Sequence, residues 1–263
     1  MIRVGEKLNS SIPATREMLA KRDGEGLAAL AQKQLDAGAD LLDLNASVFL
    51  SEEPELLVWA VRTVQQATGA RLMIDSPNPA AVAVALAADT VGCAVVNSVT
   101  ADPVRIAAVA PLLVQHKASV VALCMGASGI PSTAEGRLEA AERALEGLDA
   151  HGIPQSRVWL DPLAEALAAN HESAAVTLKA IGLIRARFPE VTIVCGLSNV
   201  SFGLPHRKAI NSAFLIAAVA AGLNAAILDP SDQALAQAIA AAEAVAGLDE
   251  YCLEYIRYCR AKG

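Results

Sequence analysis

Short apolar runs recur along the chain at 2–6, 41–45, 71–75, 94–97, 120–125, 158–161, 192–197 and 225–229. Amphipathic or alanine-rich stretches separate them, at 25–37, 55–67, 79–88, 103–115, 135–149, 173–187, 208–221 and 233–244. Strand-like runs alternating with helical spacing predict βαβ units and a parallel sheet. Eight such units favour an α/β architecture closed as a (β/α)8 TIM barrel, one domain over 1–263, with 248–260 as an extra C-terminal helix. Punctuation agrees. Gly38, Gly69 and Gly222 follow predicted helices, where a left-handed residue ends the last turn. Pro54, Pro79 and Pro103 stand in predicted first turns, where a missing N–H costs nothing.

Composition sharpens this picture. Residues are 54% hydrophobic but only 3% aromatic, so alanine and valine must fill the core, as suits strands buried on both faces. A mean hydropathy of +0.40 raises the question of a membrane span. The best candidate, 79–101, is interrupted by Asp89 and Asn97, which leaves no membrane segment to expect. The chain enters a strand at once and shows no leader, which predicts a cytoplasmic protein. A net charge of −7 with unclustered basic residues speaks against a nucleic-acid partner. Cys93, Cys124 and Cys195 lie in apolar runs and read as small buried hydrophobes.

The chemistry gathers where the strands end. Glu6, Asp43 with Asn45, Asp75, Asn97, Asp161, Ser198-Asn199 and Asp229 each close an apolar run, and barrel strands deliver such ends to one face. The fifth run ends at Met125-Gly126, which offers an apolar wall for a flat ligand. Asp229, before Pro230, Ser231 and Asp232, reads first as a strand terminator, and Asp161-Pro162 allows the same reading more weakly. Asp43 and Asn45 share a strand face, so one is expected to orient the other. Asp75 and Asn97 follow continuous apolar runs, where an unpaired polar group is costly unless a ligand offsets the loss. The four histidines lie away from these ends, so no intrinsic metal is expected. Nothing resembles GxSxG, a P-loop or GxGxxG. What remains is a ring of carboxylates and amides suited to a neutral, donor-rich heterocycle.

The segments Gly5-Glu6-Lys7-Leu8-Asn9, Asp43-Leu44-Asn45, Ile74-Asp75-Ser76, Val96-Asn97-Ser98, Leu160-Asp161-Pro162-Leu163 and Gly196-Leu197-Ser198-Asn199-Val200-Ser201 together resemble the methyltetrahydrofolate:corrinoid protein methyltransferase family of pterin-binding barrels. The resemblance implies a methyl transfer between N5 of tetrahydrofolate (5-methyltetrahydrofolate when loaded) and the cobalt of cobalamin, a corrinoid carried by a partner protein, in a one-carbon or demethylation pathway. It implies pterin contacts at Asp75, Asn97 and Asp161 and a catalytic amide at Asn199. Glu6, Asp43, Asn45, Met125, Gly196, Ser198 and Arg207 complete the candidate set. Arg207 would reach the p-aminobenzoyl-glutamate tail or pair with a surface acid. A homodimer is implied as well. Segments 125–131 and 202–206 depart from acetogenic members, which points to a corrinoid protein of an O- or N-demethylation system, and so to transfer from methylcobalt to tetrahydrofolate. The competing readings are dihydropteroate synthase, whose Arg-Pro-Gly segment is missing at 47–51, and a folate-binding subunit without turnover.

Overall fold

The structure, a computed structural model, describes residues 1–262. Its strands are β1 (Ile2–Asn9), β2 (Leu41–Asn45), β3 (Leu72–Asp75), β4 (Val95–Thr100), β5 (Ser119–Leu123), β6 (Val158–Asp161), β7 (Thr192–Gly196) and β8 (Ala225–Leu228). Each pairs in parallel with the next, and β8 returns to β1 to close the barrel. Around it run α1 (Pro13–Lys21), α2 (Gly24–Asp36), α3 (Glu53–Thr68), α4 (Pro79–Ala88), α5 (Pro103–His116), α6 (Ala134–Asp149), α7 (Ser173–Arg187), α8 (Arg207–Ala221) and α9 (Gln233–Val245), with α10 (Leu253–Lys262) packed on α9. Among the described residues no helix is long and apolar enough to cross a membrane.

Side-chain alternation explains where the site must be. One residue from every strand (Val4, Leu41, Met73, Val95, Val121, Trp159, Val194, Ala225) joins a closed apolar cluster inside the barrel. Their neighbours, such as Leu42, Ile74, Val96, Leu160 and Ile193, belong to the larger core under the helices. Strands repeat every two residues. The next inward positions are therefore Glu6, Asp43, Asp75, Asn97, Leu123, Asp161, Gly196 and Ile227. A polar layer sits directly on an apolar plug.

Several boundaries differ from expectation. Helix α1 has no counterpart in the sequence pattern: it buries only Thr15 and Leu19, too little for a helical stripe, and stops at Arg22 with φ 49°. Strand β1 continues to Asn9 through a register shift between Gly5 and Leu8. Strand β8 stops at Leu228, one residue before Asp229. The segment expected as one helix over 248–260 starts with a 3-10 turn, Glu250–Cys252, because Asp249 accepts the N–H groups of Glu254 (3.0 Å) and Tyr255 (2.9 Å) and so caps α10. Cys124 and Cys195 are buried, but Cys93 is exposed, in a turn with φ 61° before β4. Gly38 takes φ 96°, as a helix-ending glycine should.

Candidate active site

At the C-terminal mouth of the barrel a cavity of about 420 Å³ is lined by Glu6, Asp43, Asp75, Asn97, Gly196, Ser198, Asn199 and Arg207, with Ile12 and Ile227 as apolar wall. Asp75 and Asn97 also border a second chamber of about 480 Å³ that extends to Asn45, Ser98 and Arg105. Glu6, Ser198 and Arg207 border a third, about 320 Å³, with Lys7, Asn211 and Asp229 behind. A larger cavity, about 820 Å³, lies between α5 and α6, away from the strand-end carboxyls. The mouth is where recognition chemistry is concentrated.

Hydrogen bonds fix the polar layer. Asn45 Oδ1 accepts from Ser10 Oγ (2.7 Å), Ser47 Oγ (3.0 Å) and Ser47 N–H (3.1 Å). Its amide nitrogen is thereby turned to Asp75, donating to Oδ2 at 2.9 Å. Asn45 thus orients Asp75 on the neighbouring strand, whereas the shared strand face alone suggests Asp43. Asp43 receives a long hydrogen bond from Asn97 Nδ2 (3.4 Å), and Glu6 accepts from Ser198 Oγ (3.0 Å). Oδ1 of Asp75 has no protein donor among the described residues, and Asp75 lines the open cavity.

These acids hold protons more tightly than usual. Burial is the main cause at every one. Burial and then the Asp75 charge push Asp43 well above the usual carboxylate range, against the bond from Asn97. Burial pushes Asp75 up to about 6, opposed by Asn45 and aided by the charge of Glu53. Burial raises Glu6 as well, opposed by Ser198 and Lys7. Asp161 rises to about 7, with Leu163 N–H, Arg137 and the Cys195 thiol pulling the other way.

Some expected residues stand apart. Asp161 follows the inward register of Trp159 and is only 8% exposed, its Oδ1 accepting from Leu163 N–H at 2.7 Å. Met125 follows the end of β5 at Leu123 in a tight turn and is half-buried, its carbonyl taken by Ala101 N–H at 2.8 Å. Asp229 accepts from Ser231 N–H (2.9 Å) and pairs with Lys7 (2.9 Å), a terminator with an ion pair. Arg207 pairs with no acid among the described residues; it donates to Ser198 O (2.7 Å) and Ser201 Oγ (3.0 Å), bracing the 3-10 turn Leu197–Ser201.

That turn carries Asn199, exposed at the mouth, whose amide makes no protein hydrogen bond among the described residues. Gly196 leaves it room, since a Cβ there would stand 3.0 Å from Asn199 Nδ2. Gly196→Ala is therefore expected to displace the amide and lower kcat about tenfold while changing folate affinity less. Steady-state kinetics beside a binding titration would show it, and an unaltered kcat would mean that the amide does not need that gap.

Sequence reasoning missed Ser10 and Ser47, which set Asn45, and Arg105, which donates to Ser76 O (3.2 Å), Pro77 O (2.7 Å) and Ser98 O (2.9 Å) and ties the ends of β3 and β4 together. Ser47 was findable as the residue two beyond an asparagine, where an Asx-turn brings its N–H to the side-chain oxygen. Arg105 bonds only backbone carbonyls, which leave no mark in a sequence.

A packed parallel barrel crowned by carboxyls and amides has the donors and acceptors to hold a flat, polar heterocycle at its strand ends. Comparison with known proteins specifies the class. The sequence profile described as "Pterin binding enzyme" matches residues 8–229. The chain is 33% identical over 263 residues to the methylcorrinoid:tetrahydrofolate methyltransferase of Eubacterium limosum, covering 99% of this chain and 96% of that one. The chain belongs to the methyltetrahydrofolate:corrinoid protein methyltransferase family of pterin-binding enzymes. It is also 31% identical over 242 residues to the methionine synthase of Mycobacterium tuberculosis, covering 87% of this chain but 20% of that longer protein. Dihydropteroate synthase from Xanthomonas albilineans in complex with 7,8-dihydropteroate shares the fold, with TM-score 0.70, 22% identity and 93% and 92% of the two chains covered.

Proposed function

We propose that this enzyme transfers a methyl group between N5 of tetrahydrofolate and the cobalt of a corrinoid held by a partner protein. The observation that carries the reading is the meeting of Asp75, Asn97 and Asn199 around one cavity of about 420 Å³. A pterin presents an exocyclic amine and ring N–H groups, which carboxylates accept with strong hydrogen bonds. Asp75, with a free oxygen, and Asp161 suit that edge, and Asn97 adds an amide. Arg207, free of any acid among the described residues, suits the carboxylates of the glutamate tail.

In the direction toward folate, N5 attacks the methyl carbon, the cobalt–carbon bond breaks with its pair left on cobalt(I), and N5 releases a proton. In reverse, cobalt(I) attacks, the C–N5 bond breaks with its pair left on nitrogen, and N5 must gain a proton. Asn199 is placed to hydrogen-bond N5 as its charge changes. A contact strengthened in the transition state raises turnover rather than binding alone. The tight Gly126–Gly129 turn after β5, closed by Gly129 N–H to Gly126 O at 3.0 Å, keeps that rim short and supports a partner from an O- or N-demethylation system. The name of the Eubacterium limosum relative supports transfer from methylcorrinoid to tetrahydrofolate.

Adding the protein to methylcob(III)alamin and tetrahydrofolate is expected to change the cobalamin spectrum as methyl groups leave cobalt. Tight folate binding with an unchanged spectrum would make the protein a binding subunit. Product from dihydropterin pyrophosphate and p-aminobenzoate would make it a synthase.

A further inference from the structure

Arg137 projects from α6 into the protein and is only 1% exposed. Burying a guanidinium is costly unless its donors are used and its charge is answered. Here Nε donates to Pro131 O (3.1 Å), one terminal nitrogen shares its two hydrogens among Pro162 O (2.7 Å), Leu163 O (2.6 Å) and Thr177 Oγ1 (2.9 Å), and the other donates to the half-exposed carboxylate of Glu165. The planar fork of arginine makes such a set possible, whereas a lysine ammonium cannot span it.

Two of these acceptors are the carbonyls that directly follow Asp161. Leu163 is held at φ 66°, a left-handed conformation that a leucine seldom adopts. The Asp161-Pro162-Leu163 turn brings the Leu163 N–H back to Asp161 Oδ1 at 2.7 Å. Pro131 ties the loop before α6 into the same knot, and Thr177 anchors it to α7, so the guanidinium joins three stretches of chain at the buried carboxyl.

We propose that Arg137 is a positioning residue for pterin recognition, locking the Pro162-Leu163 turn so that Asp161 presents its carboxylate in one fixed orientation. This rests on the reading of Asp161 as a pterin-binding group. Arg137 touches no substrate in this scheme; it acts through the turn. Its positive charge also favours the ionised form of Asp161, which a donor-rich pterin edge requires.

The test titrates tetrahydrofolate calorimetrically, from about pH 5 to about pH 9, into the wild type, Arg137→Gln, Arg137→Lys and Asp161→Asn, each well below its melting temperature. Arg137→Gln is expected to bind about tenfold more weakly near neutral pH, with the midpoint of its pH dependence moved upward. Arg137→Lys, which restores charge but not the fork, is expected to return the midpoint while affinity stays low. A lowered melting temperature with affinity and midpoint both unchanged would make Arg137 a purely structural bolt and overturn the inference. Undiminished affinity in Asp161→Asn would instead remove the pterin role of Asp161, a separate result. Should Arg137→Gln not fold, Glu165→Gln loosens the same guanidinium from its half-exposed end. It is expected to weaken binding about threefold, and unchanged affinity there would overturn the inference as well.

Discussion

Exchanging Asp161 for asparagine is expected to give a protein that melts at a higher temperature near pH 8 and no longer holds tetrahydrofolate tightly. The carboxyl of Asp161 is pushed from 3.8 to about 7 in the folded chain, chiefly by burial. The folded state therefore binds this proton more tightly than the unfolded state does. The stability linked to it is complete below the ordinary carboxylate pKa and is lost as pH rises through about 7. Above that, the unliganded fold carries a buried charge. Every tenfold gain in proton affinity on folding corresponds to about 1.4 kcal/mol, so the charge costs a few kcal/mol at most. Asparagine removes the charge and keeps an oxygen for Leu163 N–H. A gain of several degrees near pH 8 follows for a chain of this size, with none near pH 4.

The same charge that weakens the empty protein binds the pterin. Replacing a carboxylate that accepts paired N–H donors by an amide removes an acceptor and sets a donor against donors. Hydrogen bonds to charged groups contribute about 1.5–3 kcal/mol each, so affinity should fall about 100-fold or more. In the wild type, affinity should weaken about tenfold for each pH unit below about 7, because the neutral acid must first give up its proton. Scanning calorimetry near pH 4 and pH 8, paired with folate titrations, measures both halves. A variant equally stable at both pH values, or one that keeps its affinity, would refute the account.

Much of this polar layer was legible because the barrel writes it locally. Glu6, Asp43, Asp75, Asn97 and Asp161 each stand two residues beyond an inward apolar residue: Val4, Leu41, Met73, Val95 and Trp159. Alternation within a strand marks them without any knowledge of the neighbouring strand. What needs the neighbour was not legible. That Asn45 serves Asp75 depends on the parallel register that sets these two residues side by side, and a single strand does not contain it. The strand expected over 120–125 ends at Leu123, because an apolar run does not reveal where its last residues leave the sheet. Arg105 answers only to backbone carbonyls and Arg137 mainly to them, and every residue possesses one, so no pattern points to these arginines. Asn199 lies on a turn beyond β7, outside the alternation; the end of an apolar run brought it into view, and only the resemblance to a family gave it a catalytic role.

Asn199→Ala is expected to lower kcat about 100-fold while tetrahydrofolate affinity changes less than about threefold. The free amide at the mouth carries one donor group and one acceptor, and methyl transfer needs both in turn. When N5 attacks the methyl carbon it becomes an ammonium and its proton must be accepted. When the C–N5 bond breaks in reverse, the lone pair that forms must be met by a donor. An amide serves either direction without changing its own charge, and it serves most at the moment the charge is largest, which is why its loss falls on turnover. Asp75 differs. Asn45 holds it in place before any ligand arrives, and it lines the cavity with one oxygen free, so Asp75→Ala should mainly weaken affinity. Measuring kcat and folate Kd for both variants separates the roles. If Asn199→Ala lost affinity with kcat intact while Asp75→Ala did the reverse, the two residues would have to exchange places in the mechanism.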